Sequence, residues 1–329
     1  MIGRKGLGMM IKSYLLSAGK LKEQKDPEGQ LHACLGRPDE SWFDVKDAGH
    51  EELRKFLTPL DLHPLQLTRC LDSVNDPAVV SVGKSFLMEY PAAFDRESTQ
   101  PAYLTILLQA PVLVTIRHGA MPALDDLVHS LTAETTPPLF HLPQILYMIL
   151  DQFADLNVEA QVAIRDQILH LSNTLDENPG AMSTSDLSHL RGQVENLVSL
   201  IENQLYCISG LNATDNEALQ DPHRKAYVED LLSETEIAQR GVYRLETRVK
   251  DLYDDYQAAG NERVEKRLRL LTIVSAITLP LGLIAGLLGM NVGGLPGTTT
   301  RSGFIIVMVL MVLIVMVECW YFKRKGWFD

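Results

Sequence analysis

The sequence predicts an α+β membrane protein, in which an N-terminal α/β domain precedes a long stalk helix that continues into the first of two C-terminal membrane helices. Residues 270–290 and 303–317 carry no charged side chain. About 20 helical residues cross the hydrocarbon core of a bilayer. The first segment is long enough to span it, and the second is long enough when the aromatic residues that follow are included. Residues 291–302 alone separate the two segments. A loop that short predicts a helical hairpin with both chain ends on one side.

The distribution of positive charge predicts which side that is. Lys266, Arg267 and Arg269 precede the first span, residues 323–325 follow the second, and the loop between the spans holds only Arg301 as a charge. Because positive residues concentrate on the cytoplasmic side of membrane helices, we expect both termini to be cytoplasmic, in the inner membrane of a cell. The chain has a net charge of −12, which belongs to the soluble part and argues against nucleic acid as a partner.

Residues 1–135 are predicted to form the cytosolic α/β domain, because short β-rich runs alternate there with helical stretches. The predicted strands cover residues 11–16, 79–82, 86–90, 104–108 and 112–116, and the predicted helices cover residues 50–57 and 64–70. The strand signal stops before Pro137-Pro138.

Residues 136–265 are predicted to form a cytosolic helical and stalk region, and residues 266–329 a two-helix transmembrane domain. Apolar residues at three-to-four spacing predict one helix over residues 142–175, which Asn178-Pro179-Gly180 ends. Ser185 is predicted as the N-cap of a second helix that runs to about residue 211.

The third helix is predicted to open at Asp221-Pro222, with the proline in its first position. It is predicted to run from the soluble part into the membrane, since Pro280 is the only proline between residues 223 and 291. Leu245, Val249 and Leu252 keep the spacing of a helix packed in a bundle. A continuous helix of about 70 residues would be about 100 Å long and would need packing partners. This indicates an oligomer, and one interpretation is that one rod per subunit lines a central path. The alternative is a stalk that only anchors a cytosolic domain.

Six positions on the first membrane span share one helical face, and we call them the six-residue stripe. They are Leu268, Leu271, Ser275, Leu279, Gly282 and Gly286. Small residues in a membrane helix often indicate close helix packing, and the alternative is the wall of a narrow pore. The helix ends at Gly289-Met290-Asn291, where the negative end of its dipole and the Asn291 amide would attract a hydrated cation such as Mg²⁺.

The sequence contains no pattern of an enzyme or of a bound cofactor. Four cysteines and nine histidines are scattered without the spacing that a zinc site or a disulfide framework needs. No phosphate-binding glycine loop or nucleophile–base constellation is recognisable, so we predict that the chain is not an enzyme. Glu318 lies near the end of the second span and is interpreted as an interfacial anchor rather than as a proton relay.

Short motifs spread along the chain resemble those of a known family. Gly289-Met290-Asn291 closes the first span, and Lys323-Arg324-Lys325-Gly326-Trp327 follows the second; Trp42-Phe43-Asp44 and His63-Pro64-Leu65 lie in the soluble part. With these motifs, nearly the whole chain resembles the CorA family of divalent-cation transporters, which have two membrane helices and a Gly-x-Asn motif.

The resemblance implies a homopentameric funnel in the lipid bilayer that moves hydrated Mg²⁺ or Co²⁺, with the cation as substrate and no cofactor. It implies that Gly289, Met290 and Asn291 form the selectivity filter and that the six-residue stripe lines the pore. It also implies a regulatory metal site between subunits, to which Asp230 and Asp95 would contribute.

The outer loop departs from the magnesium members and keeps the transported ion open. Residues 292–302 contain no acidic residue and resemble the ZntB branch, which carries Zn²⁺. The choice of Met290 and the stalk sequence favour Mg²⁺ or Co²⁺ instead. A ZntB-type zinc transporter, with or without proton coupling, is therefore one alternative. A membrane-anchored cytosolic sensor is an alternative from another class.

Overall fold

The computed structural model of the chain describes residues 9–327, except residue 18 and the segments 25–29, 36–38, 73–74, 95–100, 134–140 and 291–300. The strands are β1 (Met10–Ser17), β2 (Lys20–Gln24), β3 (Glu40–Lys46), β4 (Ala78–Val82), β5 (Ser85–Phe94), β6 (Pro101–Gln109) and β7 (Val112–Arg117). The helices are α1 (Gln30–Cys34), α2 (His50–Leu57), α3 (Pro64–Asp72), α4 (Pro122–Thr132), α5 (Leu142–Glu177), α6 (Thr184–Ala213), α7 (Arg224–Leu288) and α8 (Arg301–Arg324).

The strands form one seven-stranded sheet in the order β2-β1-β3-β7-β6-β5-β4. Only β3 and β7 pair in parallel among these strands; every other neighbouring pair is antiparallel. The mixed sheet confirms the predicted α/β domain, but β2 and β3 were not predicted as strands. β2 is a charged edge strand, and β3 is buried along nearly its whole length, so neither shows a clear alternation of apolar and polar residues.

Helices cover both faces of the sheet and create two separate cores. On one face, Tyr14 and Trp42 belong to a core that includes residues of α4, α5, α6 and α7. On the other face, Phe43 and Val45 belong to a core with residues of α1, α2 and α3. Successive residues of a strand point to opposite faces, so Trp42 and Phe43 enter different cores. Helices α1 and α4 were not predicted from the sequence.

A charged network is buried on the face that α4 covers. The Arg117 guanidinium donates to Asp44 Oδ2 at 2.8 Å and to Asp125 Oδ1 at 2.6 Å. Asp44 Oδ1 accepts a hydrogen bond from the Thr115 hydroxyl, which itself accepts one from Trp42 Nε1. The hydrogen bond from Arg117 holds the pKa of Asp125 below its ordinary value. Strands β3 and β7 are therefore joined to α4 by paired charges as well as by apolar packing.

The helical region follows the predicted pattern with two shifts at helix starts. The N-cap of α6 is Ser183, whose hydroxyl accepts from the Ser185 N–H, and Asp186 completes a capping box. The prediction of Ser185 as N-cap was therefore wrong by two residues. The third helix begins at Arg224 rather than at Pro222, because Asp221 Oδ1 accepts from the His223 N–H in a turn before it.

The predicted continuity of the third helix is confirmed. Helix α7 is one helix of 65 residues with Pro280 inside it. Leu245, Val249 and Leu252 of the predicted seam are buried. The chain divides into two compact units, one of residues 1–174 and 182–251 and the other of residues 175–181 and 252–329. The bounds of the three predicted domains stay a prediction.

Candidate functional site

The apolar end of α7 and helix α8 are both long and apolar enough to cross a membrane. Their large apolar side chains are mostly exposed in the chain, among them Leu270, Leu279, Leu283, Phe304, Ile306 and Trp320. Leaving one such side chain in water rather than burying it costs about 1.5 to 3 kcal/mol. A surface of this kind requires an apolar surrounding, and a bilayer supplies one along the full length of both helices.

The six-residue stripe lies on one exposed face of α7. At 3.6 residues per turn, its positions fall within an arc of about 80° around the helix axis. Leu279 is 73% exposed, and all six residues of the stripe are exposed in the chain. Ile273, which is only 6% exposed, lies about 160° from the centre of the arc. The stripe thus lies on the side of α7 that faces away from buried Ile273, although Leu270, on the same side as Ile273, is exposed as well.

No packing contact among the described residues requires glycine at the two glycine positions of the stripe. A β-carbon placed on Gly282 or Gly286 would meet no atom within 4 Å, outside the helix's own nearby backbone. Glycine in the middle of a helix costs about 1 kcal/mol relative to alanine. A benefit of these two glycines must therefore come from something outside the described chain, such as a second copy or a transported ion.

Two features of α7 leave backbone carbonyl oxygens without a helical donor. Pro280 has no N–H and cannot donate to the Ala276 carbonyl, which loses its helical partner. The Gly289 N–H donates to Ala285 O at 2.9 Å, and the helix ends directly after this bond. The last carbonyls of a helix lack helical donors and carry the negative end of the dipole. The end of α7 is thus suited to a cation.

The predicted filter is only partly described. Gly289 and Met290 form the turn that follows α7, and Met290 is exposed. Asn291 lies outside the described residues, as does Asp95, one of the two predicted regulatory acids.

Asp230, the other predicted regulatory acid, belongs to an acidic cluster that was not predicted. It lies exposed on α7 near Asp151 and Asp155 of α5 and Glu234 of α7. Burial and then the neighbouring carboxylates raise the pKa of Asp151 and of Glu234. The acids at 151 and 155, one helical turn apart beside apolar positions, were the sequence signal that could have indicated this cluster. No set of three or more side chains in the described parts of the chain is arranged to hold a metal ion.

The cysteines are poor candidates for metal ligands. Cys34, Cys70 and Cys207 are buried, and Cys319 is partly buried. Burial raises the pKa of Cys70 and of Cys207 to about 12, so both remain neutral thiols at physiological pH. Because metals bind the thiolate, these two side chains are better explained as part of the apolar cores.

Comparison with known proteins decides the family. A family model described as CorA-like Mg²⁺ transporter protein matches residues 39–324. The chain belongs to the CorA family. YfjQ of Bacillus subtilis, named as a metal ion transporter, is 26% identical over 89% of this chain and 92% of its own length. The zinc transport protein ZntB of Yersinia enterocolitica is 24% identical over 71% of this chain and 70% of its own length.

A solved CorA structure confirms the predicted fold. The complete structure of the CorA magnesium transporter from Methanocaldococcus jannaschii superposes with a TM-score of 0.83, at 20% identity, over 99% of this chain and 100% of that one. The CorA family consists of divalent-cation transporters of the inner membrane with two C-terminal membrane helices. The α/β domain, the long α7 and the two candidate membrane helices of this chain match that architecture.

Proposed function

We propose that the chain assembles as a homopentamer and conducts divalent cations through a pore lined by the six-residue stripe. The observation that carries this proposal is the position of the stripe on the face of α7 opposite to buried Ile273. A helix that packs on its own chain with one face can contribute the other face to a central path. Glycines that have free space around them in a single chain suit the narrow part of such a path.

The filter would be the turn after α7. Gly289 ends the helix, and Asn291 follows two residues later, so a ring of copies would bring carbonyl dipoles and amide oxygens together. Mg²⁺ dehydrates reluctantly and usually keeps several waters. Hydrogen bonds from those waters to amide and carbonyl oxygens would recognise the hydrated ion without a dedicated protein ligand. The leucines of the stripe would act as a hydrophobic gate.

Mg²⁺ or Co²⁺ is the substrate that we favour, and Zn²⁺ is the second candidate. Two observations support zinc. The loop at residues 292–302 has no acidic residue and resembles that of ZntB, and a ZntB protein is among the relatives. Magnesium is supported by the matching CorA model and by the choice of Met290. Either ion would pass with much of its water, because the sequence of the two spans contains no histidine and a single cysteine, Cys319.

Regulation would involve the acidic cluster on α5 and α7. Asp230 lies within reach of the charges of Asp151 and Glu234, which gives this surface a high negative charge. In an assembled ring, with Asp95 of a neighbouring copy, such a surface could bind a divalent cation between subunits. Both termini would be cytoplasmic by the charge distribution, so the cluster would sense intracellular metal.

The test is uptake of Mg²⁺ and of Zn²⁺ into liposomes that contain the full chain, with and without a pH gradient. Asn291→Ala should reduce uptake about tenfold or more, since each lost hydrogen bond contributes about 1 kcal/mol and every copy in the ring loses one. The matched control is Asn173→Ala, which removes an exposed asparagine of α5 and should leave uptake unchanged.

The pattern of uptake separates the candidates. Mg²⁺ uptake that exceeds Zn²⁺ uptake supports the favoured substrate, whereas Zn²⁺ uptake driven by the pH gradient supports the ZntB-type alternative. If the wild-type protein carries neither ion, the pore proposal is wrong. The membrane-anchored sensor would then be the better explanation of the two spans.

A further inference from the structure

The C-terminal end of α8 forms an ordered basic and aromatic cluster. We define the C-terminal cluster as Trp320, Tyr321, Lys323, Arg324, Lys325 and Trp327. The chain reverses at Gly326, whose φ of 68° is left-handed. The Gly326 N–H donates to Lys323 O and the Trp327 N–H donates to Phe322 O, both at 3.1 Å. This pair of bonds is a Schellman motif, in which the residue after the glycine contacts the last helical turn.

Aromatic rings fix the positions of the side chains in the C-terminal cluster. The Trp327 ring packs on the Phe322 ring with 5.2 Å between centroids. The Arg324 guanidinium lies 5.5 Å from the centroid of the Trp320 ring, and Lys325 Nζ lies 5.3 Å from that of Tyr321. Cations in these positions are attracted to the faces of the rings. Tryptophan and tyrosine favour the level of the lipid headgroups, so the two cations are held at that level.

In the described part of the chain, no acid forms an ion pair with the positive charges of the C-terminal cluster. On α7, Lys266 lies 2.9 Å from Glu262, and Arg269 lies 2.7 Å from Glu265. Among the residues that the structure describes, Lys323, Arg324 and Lys325 have no such partner. Glu318 is the nearest acid in sequence that the structure describes, and it forms no ion pair there, with one buried carboxylate oxygen left without a hydrogen bond; Asp329 lies outside the described residues. Three positive charges therefore remain available at the end of a membrane helix.

We propose that the C-terminal cluster binds the phosphate of an anionic phospholipid. The surface is both charged and apolar, because Met316, Val317 and Trp320 of α8 are more than half exposed directly before the cations. A ligand with a negative headgroup and acyl chains satisfies both parts, whereas a free anion satisfies only the first. Lys323, Arg324 and Lys325 supply donors that suit a phosphodiester. The site depends on α8 lying in the membrane and not on which ion is transported.

The lipid site can be measured by tryptophan quenching in vesicles that contain the full chain. Brominated phosphatidylglycerol or brominated phosphatidylcholine would be the quencher, since bromine on an acyl chain quenches only tryptophans close to it. Trp320 and Trp327 lie in the cluster, whereas Trp42 is fully buried in the α/β domain and serves as an internal reference. We expect the wild-type protein to be quenched more strongly by brominated phosphatidylglycerol at equal mole fraction.

Matched variants distinguish a specific lipid site from general electrostatic attraction between the protein and anionic lipid. Arg324→Gln with Lys325→Gln should lower the relative affinity for phosphatidylglycerol about fivefold per cation removed, as each basic residue near an anionic surface contributes about 1 kcal/mol. Lys266→Gln with Arg269→Gln removes the same charge from paired residues of α7 and should retain the preference. Arg324→Lys with Lys325→Arg keeps the charge and should retain it too.

Three results would overturn the proposal. The wild-type protein could show equal quenching by the two lipids. The α7 control could lose the preference as fully as the cluster variant, which would indicate general attraction rather than a site. Inorganic phosphate at millimolar concentration could abolish the preference at constant ionic strength, which would indicate a site for a free anion.

Discussion

Replacing Arg117 with methionine should strongly destabilise the α/β domain, because it leaves a buried carboxylate without its cation. Arg117 is 3% exposed and donates to both Asp44 and Asp125. The substitution keeps much of the side-chain volume but leaves Asp44, which is only 2% exposed, as an unpaired charge. Breaking a buried ion pair in this way costs about 3 to 5 kcal/mol. For a domain of this size, that corresponds to a fall in Tm of about 6 to 20 °C.

A double substitution shows whether the unpaired charge causes this loss. Asp44→Asn combined with Arg117→Met removes both charges, and an amide at position 44 can still accept the hydrogen bond from Thr115. We expect the double variant to recover at least about 2 kcal/mol relative to the sum of the single variants. Asp125 is half exposed, so Asp125→Asn should cost only about 1 kcal/mol or less.

The assay is thermal unfolding of the full chain in detergent, followed by the fluorescence of Trp42. Trp320→Phe and Trp327→Phe in the background leave Trp42 as the reporter, and its indole N–H donates to Thr115 within the network. Arg54→Met, at an exposed position of α2, is the control and should change stability by less than about 0.5 kcal/mol. A loss below about 1 kcal/mol for Arg117→Met, or fully additive single variants, would refute the reasoning.

Two further predictions concern the membrane helix and the packing of α6. Leu279→Ser on the stripe should change cation uptake into liposomes. Leu270 is 67% exposed on the side of α7 away from the stripe, so Leu270→Ser should leave uptake unchanged. Equal effects of the two variants would contradict the proposal that the stripe lines the pore. Gly210→Ala should lower Tm, because its β-carbon would lie 2.8 Å from a neighbouring methyl group. Gly192→Ala should raise stability by about 1 kcal/mol, because its β-carbon has free space around it. A higher Tm for Gly210→Ala than for Gly192→Ala would contradict the packing.

The elements that the sequence predicted well are those with strong local signals. The length of α7 follows from the absence of helix breakers other than Pro280, and a proline inside a membrane helix is tolerated. The two spans follow from composition alone. Strand β3 has no comparable signal. Asp44 by itself predicts a surface position, and its burial is explained only by its pairing with Arg117, which lies 73 residues later. Tertiary pairing, which a local pattern does not contain, decides such elements.

The candidate site shows the same division between local and distant information. The stripe could be predicted because its residues lie on one helix with a fixed period. The acidic cluster has only a partial local signal, the pair Asp151 and Asp155. These residues come 79 and 75 positions before Asp230, and only the packing of α5 with α7 brings them near it. Asn291 and Asp95 lie outside the described residues, so their roles rest on the resemblance to the CorA family.

Exposure alone does not show that the stripe lines a pore, because a leucine that faces lipid is as exposed in a single chain as one that faces a central path. The glycines discriminate better. A lipid-facing position gains nothing from glycine and loses about 1 kcal/mol of helix stability relative to alanine. Gly282 and Gly286 nevertheless lie one turn apart on the stripe, with room for a β-carbon at both. What limits their size must therefore approach from outside the described residues, as neighbouring copies around a narrow path would.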